Sequence, residues 1–204
     1  LAINKFLRKN NIKAPKTFSF DYQNGLAIIE DFGDLTFHKV LLKNNNKLSI
    51  YKKLVNLLLK IQKIKPKKKI KSFNNNLHTI KEYSNKYLFD ESNLFFDWYL
   101  PFFFSKKKSS EIKIKANKIL FKLYNNLNFS NLCLVHRDYH VQNLMKVNKK
   151  IGVIDSQDAL IGNPAYDLAS LIDDVRIKTS NKLKNEIYKY YLKKEKQIYK
   201  TNYQ

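Results

Sequence analysis

The spacing of apolar residues changes four times along the chain, and each change predicts a different kind of element. In "LAINKFLRKN" the apolar residues recur at a helical spacing. In "TFSFDYQNGLAIIEDF" two runs rich in aromatic and β-branched residues flank Asn24-Gly25, the pair favoured in type I′ turns. These patterns predict a short helix and then a β-hairpin, followed by a bend and a helix N-cap at Gly33 and Asp34.

The middle of the chain is predicted to be mostly helical. "KLSIYKKLVNLLLKIQKI" is apolar on one face and lysine-rich on the other, and Pro66 ends it. Two further helical regions are predicted over about 77–104 and 109–127, the second with an apolar stripe that we expect to be buried. The stripe comprises Ile112, Ala116, Ile119, Leu120, Leu123 and Leu127.

The period changes again near residue 132. "LCLVH", "NLMKV" and "IGVID" are short apolar runs typical of strands. From Pro164 the helical spacing returns in "AYDLASLIDDVRI" and "KLKNEIYKYYLKKEKQIY". The order of elements predicts an α+β fold in which a few strands pack beside a mainly helical body.

Composition narrows the possible functions. The chain has 204 residues, is 44% hydrophobic and carries a formal net charge of +22. Its basic residues are nearly all lysine, with abundant Asn and Ile, which is typical of an A/T-rich genome and makes a nucleic-acid-binding protein the weaker interpretation. The single cysteine, Cys133, excludes a disulfide within the chain. The longest apolar stretch, "NLFFDWYLPFFF", is too short to span a membrane.

One polar cluster carries a spacing suited to phosphoryl transfer. His136, Arg137, Asp138 and Asn143 form H-R-D-x-x-x-x-N, the catalytic-loop pattern of kinases. In this pattern Asp138 orients an acceptor hydroxyl and Asn143 offers an oxygen to Mg²⁺. A hairpin after Asn143 would return Asp155 at the end of "IGVID" as a second magnesium ligand.

Three other interpretations of the cluster compete with phosphoryl transfer. His136, Asp138 and His140 could form a transition-metal site, but no other ligand cluster accompanies them. A hydrolase triad lacks its G-x-S-x-G element, and a purely structural polar loop is the remaining alternative. Under phosphoryl transfer, His136 would support the loop and His140 is a candidate to face the substrate. Arg137 would either support the loop or contact phosphate or an acidic substrate. The segment after Asp155 is too short for a peptide-docking platform, which indicates a small-molecule kinase.

The segments "HRDYHVQNLM", "GVIDSQDALIGNPAYDLASLIDDVR", "EDFGD" and "NLFFDWYL" resemble the aminoglycoside phosphotransferase and choline kinase superfamily. Within it they are most similar to bacterial anomeric kinases of N-acetylmuramate and N-acetylglucosamine. The resemblance implies a cytoplasmic enzyme of peptidoglycan recycling that uses ATP and Mg²⁺ on a small-molecule acceptor.

The same resemblance implies a two-lobed, protein-kinase-like fold, with residues 1–33 as part of the N-lobe and 34–204 as the C-lobe. The backbone of Glu30, Asp31 and Phe32 would receive the adenine, and Asp167 would hydrogen-bond the catalytic loop. A helical insert would contribute to the acceptor pocket, with Glu91, Asp97 and Trp98 as its candidate residues.

Two departures from the family pattern qualify this expectation. Ser156 stands where the family usually has Phe, which should alter packing around the loop. No Gly-rich loop precedes Thr17, and the lysine of the third kinase strand has no counterpart. We therefore expect the chain to be a fragment with little turnover of its own. A non-catalytic kinase-like binding module and an aminoglycoside- or choline-type phosphotransferase remain alternatives.

Overall fold

The computed structural model describes residues 1–73, 76–127 and 130–200, with side chains described as far as residue 196. The chain forms two compact units. The first comprises residues 1–81 together with the chain from residue 132 onwards, and the second comprises residues 82–131. The expected lobe boundary at residue 33 does not separate these units, and it stays a prediction.

The first unit opens with the predicted helix and hairpin. Helix α1 spans Ala2–Lys9, and strands β1 (Thr17–Asp21) and β2 (Leu26–Ile29) pair in antiparallel fashion. The predicted type I′ turn is wrong, because Asp21 pairs with Leu26 and leaves a loop of four residues between the strands. Gly25 has a φ of +67°, whereas Asn24 does not adopt a positive φ. The Asp21 carboxylate accepts from the Gln23 and Asn24 N–H groups at 3.0 and 3.2 Å, which stabilises this longer loop.

Helix α2 spans Phe37–Leu42, and its N-cap is Thr36 rather than the predicted Asp34. The Thr36 hydroxyl accepts from the Lys39 N–H at 3.3 Å. The Leu35 carbonyl, just before the N-cap, accepts from the Lys146 N–H at 2.8 Å. Because Leu35 makes this contact outside the helix, the helix begins later than predicted. Helix α3 spans Lys47–Gln62, as its spacing predicted.

Eight short strands form four antiparallel pairs in the described chain. Strand β3 (Lys69–Lys71) pairs with β4 (Leu77–Thr79), and β5 (Cys133–Val135) pairs with β8 (Leu160–Gly162). The fourth pair, β6 (Leu144–Val147) with β7 (Lys150–Val153), forms a tight hairpin. The predicted strands near 133, 145 and 152 are therefore confirmed. Strands β3 and β8 were not predicted, and the helical region predicted from about residue 77 is wrong at its start, because β4 occupies Leu77–Thr79 and the helix begins at Asn85.

Helices α6 (Ala165–Ile172) and α7 (Asn181–Lys200) complete the first unit, as predicted. They pack with α3 around a core in which Tyr51, Leu54 and Leu58 of α3 are fully buried. Tyr139 is also fully buried, and its hydroxyl donates to the Leu54 carbonyl at 2.8 Å. The loop after β5 is thus attached to the centre of the helical core.

The second unit is helical. Helix α4 (Asn85–Leu94) continues into a π-helical turn (Phe95–Tyr99) and a 3-10 turn (Leu100–Phe102), and α5 spans Lys106–Asn126. The predicted burial of the α5 stripe is wrong for Ile119, Leu123 and Leu127, which are all exposed. Within this unit α5 packs against α4 and the two turns, which cover only part of its circumference. In the described parts of the chain, every helix is too short or too polar to cross a bilayer.

Gly152 brings the segment after β2 against strand β7. A β-carbon at Gly152 would lie 2.5 Å from Cε2 of Phe32, so the Phe32 ring packs where any other residue would place its side chain. The Val153 N–H donates to the Lys13 carbonyl at 2.8 Å beside this contact. The glycine fixes the distance between the 30–33 segment and the β6–β7 hairpin.

Gly152→Ala should destabilise the fold by about 1–3 kcal/mol, because the added methyl must displace the Phe32 ring. Urea unfolding measures the loss. The double variant Gly152→Ala/Phe32→Leu should recover part of it, since a smaller side chain then faces the methyl. If the double variant loses the sum of the two single losses, the close approach is not the cause.

Candidate active site

The predicted catalytic loop connects β5 to β6 and is fixed at several points. Arg137 adopts a left-handed backbone with a φ of +75°, and its N–H donates to Asp167 Oδ1 at 3.0 Å. On the other side of Asp138, Tyr139 is anchored to α3 as described above. Asp138 itself is half-buried, and its carbonyl accepts from the His140 N–H at 2.9 Å. The backbone around the Asp138 carboxylate is therefore held on both sides.

Asn143 and Asp155 lie at the open end of the β6–β7 hairpin, as the sequence predicted. Leu144 pairs with Val153, and the Ile154 N–H donates to the Asn143 carbonyl at 3.0 Å. Asp155 follows directly, with a left-handed φ of +62° that turns the chain out of the strand. Two polar residues twelve positions apart in sequence are thus brought to one end of the hairpin.

The donor atoms of these two residues suit a hard cation. The Asn143 Nδ2 donates to the Asp138 carbonyl at 3.1 Å, so the amide can turn its oxygen Oδ1 to a cation. Asp155 adds a carboxylate, one oxygen of which accepts from Gln157 Nε2 at 2.7 Å. Mg²⁺ is commonly bound by one or two protein oxygens together with water and phosphate oxygens. The residues present therefore fit a magnesium site.

Asp167 supports the catalytic loop from beneath. It lies in the first turn of α6, is fully buried, and accepts from the His136 N–H at 2.7 Å as well as from the Arg137 N–H. Burial raises the pKa of its carboxyl group to about 7, although the two N–H donors act in the opposite direction. The geometry is the one expected of a residue that holds this loop in place.

The two histidines lie beneath the loop. His136 is buried, with Nε2 3.0 Å from the Ile154 carbonyl, and burial lowers its pKa to about 4. His140 is also buried, with Nε2 3.3 Å from Asn143 Nδ2, and burial lowers its pKa as well. A neutral His136 links the catalytic loop to the residue before Asp155. In the described residues, no three His, Cys, Asp or Glu side chains gather as a metal-binding group.

The segment 30–33 lines a cavity together with the proposed magnesium ligands. The cavity has a volume of about 620 Å³, and its walls include Glu30, Asp31, Phe32, Asn143 and Asp155. Apolar wall is supplied by Ile29, Met145 and Ile154. The adenine-binding and metal-binding residues expected from distant parts of the sequence thus face one space, whose volume is in the range of small-molecule sites.

Glu30 has contacts that the sequence did not indicate. Its carboxylate accepts from Lys13 Nζ at 2.5 Å and from the Lys16 N–H at 3.1 Å, and Arg8 lies at 3.4 Å. The bond from Lys13 is the main reason that the pKa of Glu30 is lowered. The side chain of Glu30 is therefore used to fix the linker, and its N–H does the same by donating to the Lys16 carbonyl at 2.7 Å.

Asn4 and Ser156 are site residues that sequence reasoning did not assign. Asn4 lies on α1 and lines the cavity, and Ser156 Oγ donates to its Oδ1 at 2.7 Å. The departure from Phe at position 156 therefore gives a hydrogen bond between α1 and the residue after Asp155. The sequence showed that position 156 departs from the family pattern. It could not show the hydrogen-bond partner of Ser156, because Asn4 is 152 positions away.

Of the four candidate substrate residues, His140 lies beneath the catalytic loop, and its role stays a prediction. The other three lie in the second unit. Glu91 accepts from the Tyr83 hydroxyl at 2.5 Å, and Asp97 forms an ion pair with Lys113 at 2.6 Å. Trp98 is 72% exposed. Their role in binding an acceptor stays a prediction.

A family model described as a phosphotransferase enzyme family matches residues 1–200. The chain belongs to this family. Similar proteins include N-acetylmuramate/N-acetylglucosamine kinases from Caulobacter vibrioides, 25% identical over 84% of this chain, and from Neisseria meningitidis, 27% identical over 81%. In both alignments the chain spans 48% of the relative, about half the length of the curated relatives it matches.

Solved structures of similar fold include the choline kinase LicA from Streptococcus pneumoniae. It superposes with a TM-score of 0.61 at 15% identity, covering 92% of this chain and 58% of that one. A streptomycin–ATP–APH(2")-IIa ternary complex gives a TM-score of 0.61 at 17% identity, covering 93% and 65%. The predicted α+β, kinase-like fold class is thereby confirmed.

The opposed pKa shifts of Asp167 and His136 predict how stability depends on pH. Because the Asp167 pKa is raised, its contribution to stability falls as pH rises from about 4 to about 7. Because the His136 pKa is lowered, its contribution falls as pH decreases from about 6.5 to about 4. In the wild type the two trends oppose each other.

Asp167→Asn should remove only the first trend, so stability should rise with pH between 4.5 and 6.5 more steeply than in the wild type. The free energy of unfolding should also fall by about 1–3 kcal/mol. The NH2 group of the Asn amide would face one of the two loop N–H groups, and two donors cannot form a hydrogen bond. Urea unfolding at several pH values measures both effects, with the exposed Asp34→Asn as a charge-matched control. Parallel curves for wild type and Asp167→Asn would contradict the assignment.

Proposed function

We propose that this chain carries the catalytic region of an ATP-dependent kinase that phosphorylates a hydroxyl group of an amino sugar. The observation that carries the proposal is the shared cavity: the linker at Glu30–Phe32 and the oxygen donors Asn143 and Asp155 line it together. An adenine at one side and a metal-bound phosphate at the other is the arrangement that phosphoryl transfer requires.

Each residue then has a distinct task. The linker backbone hydrogen-bonds the adenine, and Ile29, Met145 and Ile154 provide its apolar surroundings. Asn143 and Asp155 would hold Mg²⁺, which would supply positive charge to offset that of the transferred phosphoryl group. Asp138 orients the acceptor hydroxyl and accepts its proton, while Asp167 and His136 keep the loop in position. Catalysis of this kind rests on positioning and electrostatics.

Two observations support the choice of acceptor: the net charge of the chain and the names of the matched relatives. The matched relatives are named N-acetylmuramate/N-acetylglucosamine kinases. The chain has only 17 acidic residues and a net charge of +22, which suits a neutral or anionic sugar better than a cationic aminoglycoside. We therefore assign the anomeric hydroxyl of an amino sugar as acceptor, in cytoplasmic peptidoglycan recycling.

Magnesium-dependent nucleotide binding tests the shared cavity directly. The chain should bind a fluorescent ATP analogue more tightly with Mg²⁺ than without it. Asp155→Asn and Asn143→Ala should weaken the magnesium-dependent part by at least roughly tenfold, since even the loss of a group that supports a metal ligand costs that much. The adjacent exposed Asp158→Asn serves as the matched control. Absence of nucleotide binding, or equal effects of all three variants, would contradict the proposal.

Asp138→Asn separates binding from catalysis. It should leave nucleotide affinity unchanged and remove phosphoryl transfer to N-acetylmuramate or N-acetylglucosamine, because the carboxylate that orients the hydroxyl is lost. Transfer is measured with radiolabelled ATP over long incubations, which detect slow turnover. Intact turnover in Asp138→Asn would contradict its role. Nucleotide binding with no transfer to any acceptor would favour a non-catalytic module.

A further inference from the structure

A second cavity in the first unit has a strongly basic lining. It has a volume of about 600 Å³ and lies among the end of α1, the middle of α3 and the turn between β6 and β7. Six cationic side chains line it, and within the described chain no acidic side chain does. These six are Arg8, Lys13, Lys53, Lys60, Lys149 and Lys150. We call this the basic cavity.

The basic cavity differs from the lysine-rich surface around it because cationic side chains from several elements line one concave space. Lys53 and Lys60 are seven residues apart on α3 and therefore project from one face of the helix. Lys149 and Lys150 approach from the turn of the β6–β7 hairpin, and Arg8 comes from α1. Like charges held around a concave space repel one another, and an anion in that space relieves the repulsion.

The basic cavity is separate from the nucleotide cavity, but two of its residues connect them. The two cavities share no lining residue. Arg8 and Lys13 of the basic cavity contact the Glu30 carboxylate, and Lys13 Nζ also lies 4.9 Å from the centre of the Phe32 ring. Glu30 and Phe32 in turn line the nucleotide cavity. An anion in the basic cavity would compete with Glu30 for these two cations.

We propose that the basic cavity binds a small, multiply charged anion of the phosphate class and that this binding competes with the Glu30 ion pairs. The cavity is compact, which fits a small anion better than the extended backbone of a nucleic acid. Arginine, the residue suited to reading bases, is represented there by Arg8 alone among the described lining residues. The proposal concerns residues outside the nucleotide cavity and does not depend on the kinase function.

Isothermal titration with inorganic pyrophosphate tests the site in the full 204-residue chain. The variant Lys53→Gln/Lys60→Gln removes two cavity charges that make no described hydrogen bond. The variant Lys182→Gln/Lys189→Gln is the matched control, because these exposed lysines are also seven residues apart on one helix, α7. We expect affinity to fall at least about tenfold in the first variant and less than twofold in the control. Circular dichroism checks that both variants fold.

Two further measurements complete the test: pyrophosphate binding to Glu30→Gln, and competition with a single-stranded oligonucleotide. Glu30→Gln should strengthen pyrophosphate binding several-fold, because Arg8 and Lys13 are released from their carboxylate partner; an unchanged or weaker affinity would overturn the competition. Equal losses in the two lysine variants would show diffuse surface charge and overturn the site, as would a wild type that does not bind pyrophosphate. Tight binding of a single-stranded oligonucleotide that pyrophosphate cannot displace would also overturn it, in favour of a nucleic-acid surface.

Discussion

The buried carboxylate of Asp167 is the constraint on which the candidate site depends. It accepts hydrogen bonds from two consecutive backbone N–H groups, those of His136 and Arg137, at 2.7 and 3.0 Å. These bonds satisfy donors that burial would otherwise leave without partners, and they stabilise the left-handed backbone of Arg137. The position of Asp138 follows from that conformation. A residue of helix α6 thus determines where a loop residue nearly thirty positions earlier presents its carboxylate.

A second level of organisation connects the loop to the hairpin that follows it. His136 reaches the Ile154 carbonyl, Asn143 reaches the Asp138 carbonyl, and the Ile154 N–H returns to Asn143. The three segments that carry Asp138, Asn143 and Asp155 are therefore joined by hydrogen bonds that do not use the acidic side chains themselves. The carboxylates of Asp138 and Asp155 remain available for a ligand, because other groups hold the site in position.

The sequence predicted the elements that have a strong period or a specific spacing. The amphipathic pattern of α3 and the H-R-D-x-x-x-x-N spacing depend on residues close in sequence, so both could be recognised without a structure. The Asn4–Ser156 hydrogen bond and the Lys13–Glu30 ion pair could not, because each joins common polar residues through tertiary packing. The predicted N-cap at Asp34 was wrong for the same reason. The Leu35 carbonyl accepts from the distant Lys146 N–H, and the helix begins only after this contact. The predicted burial of the α5 stripe was wrong, because a helical period identifies an apolar face but does not show whether another element packs against that face.

Two residues of the candidate site, Arg137 and Asp155, adopt left-handed backbone conformations that glycine would adopt more easily. Replacing either residue by glycine would relax the backbone while removing a side chain of the candidate site. Thermal stability alone would therefore favour glycine at position 155, whereas the proposed metal site requires a carboxylate there. A non-glycine residue at both positions thus costs local backbone strain, in a chain with only four glycines.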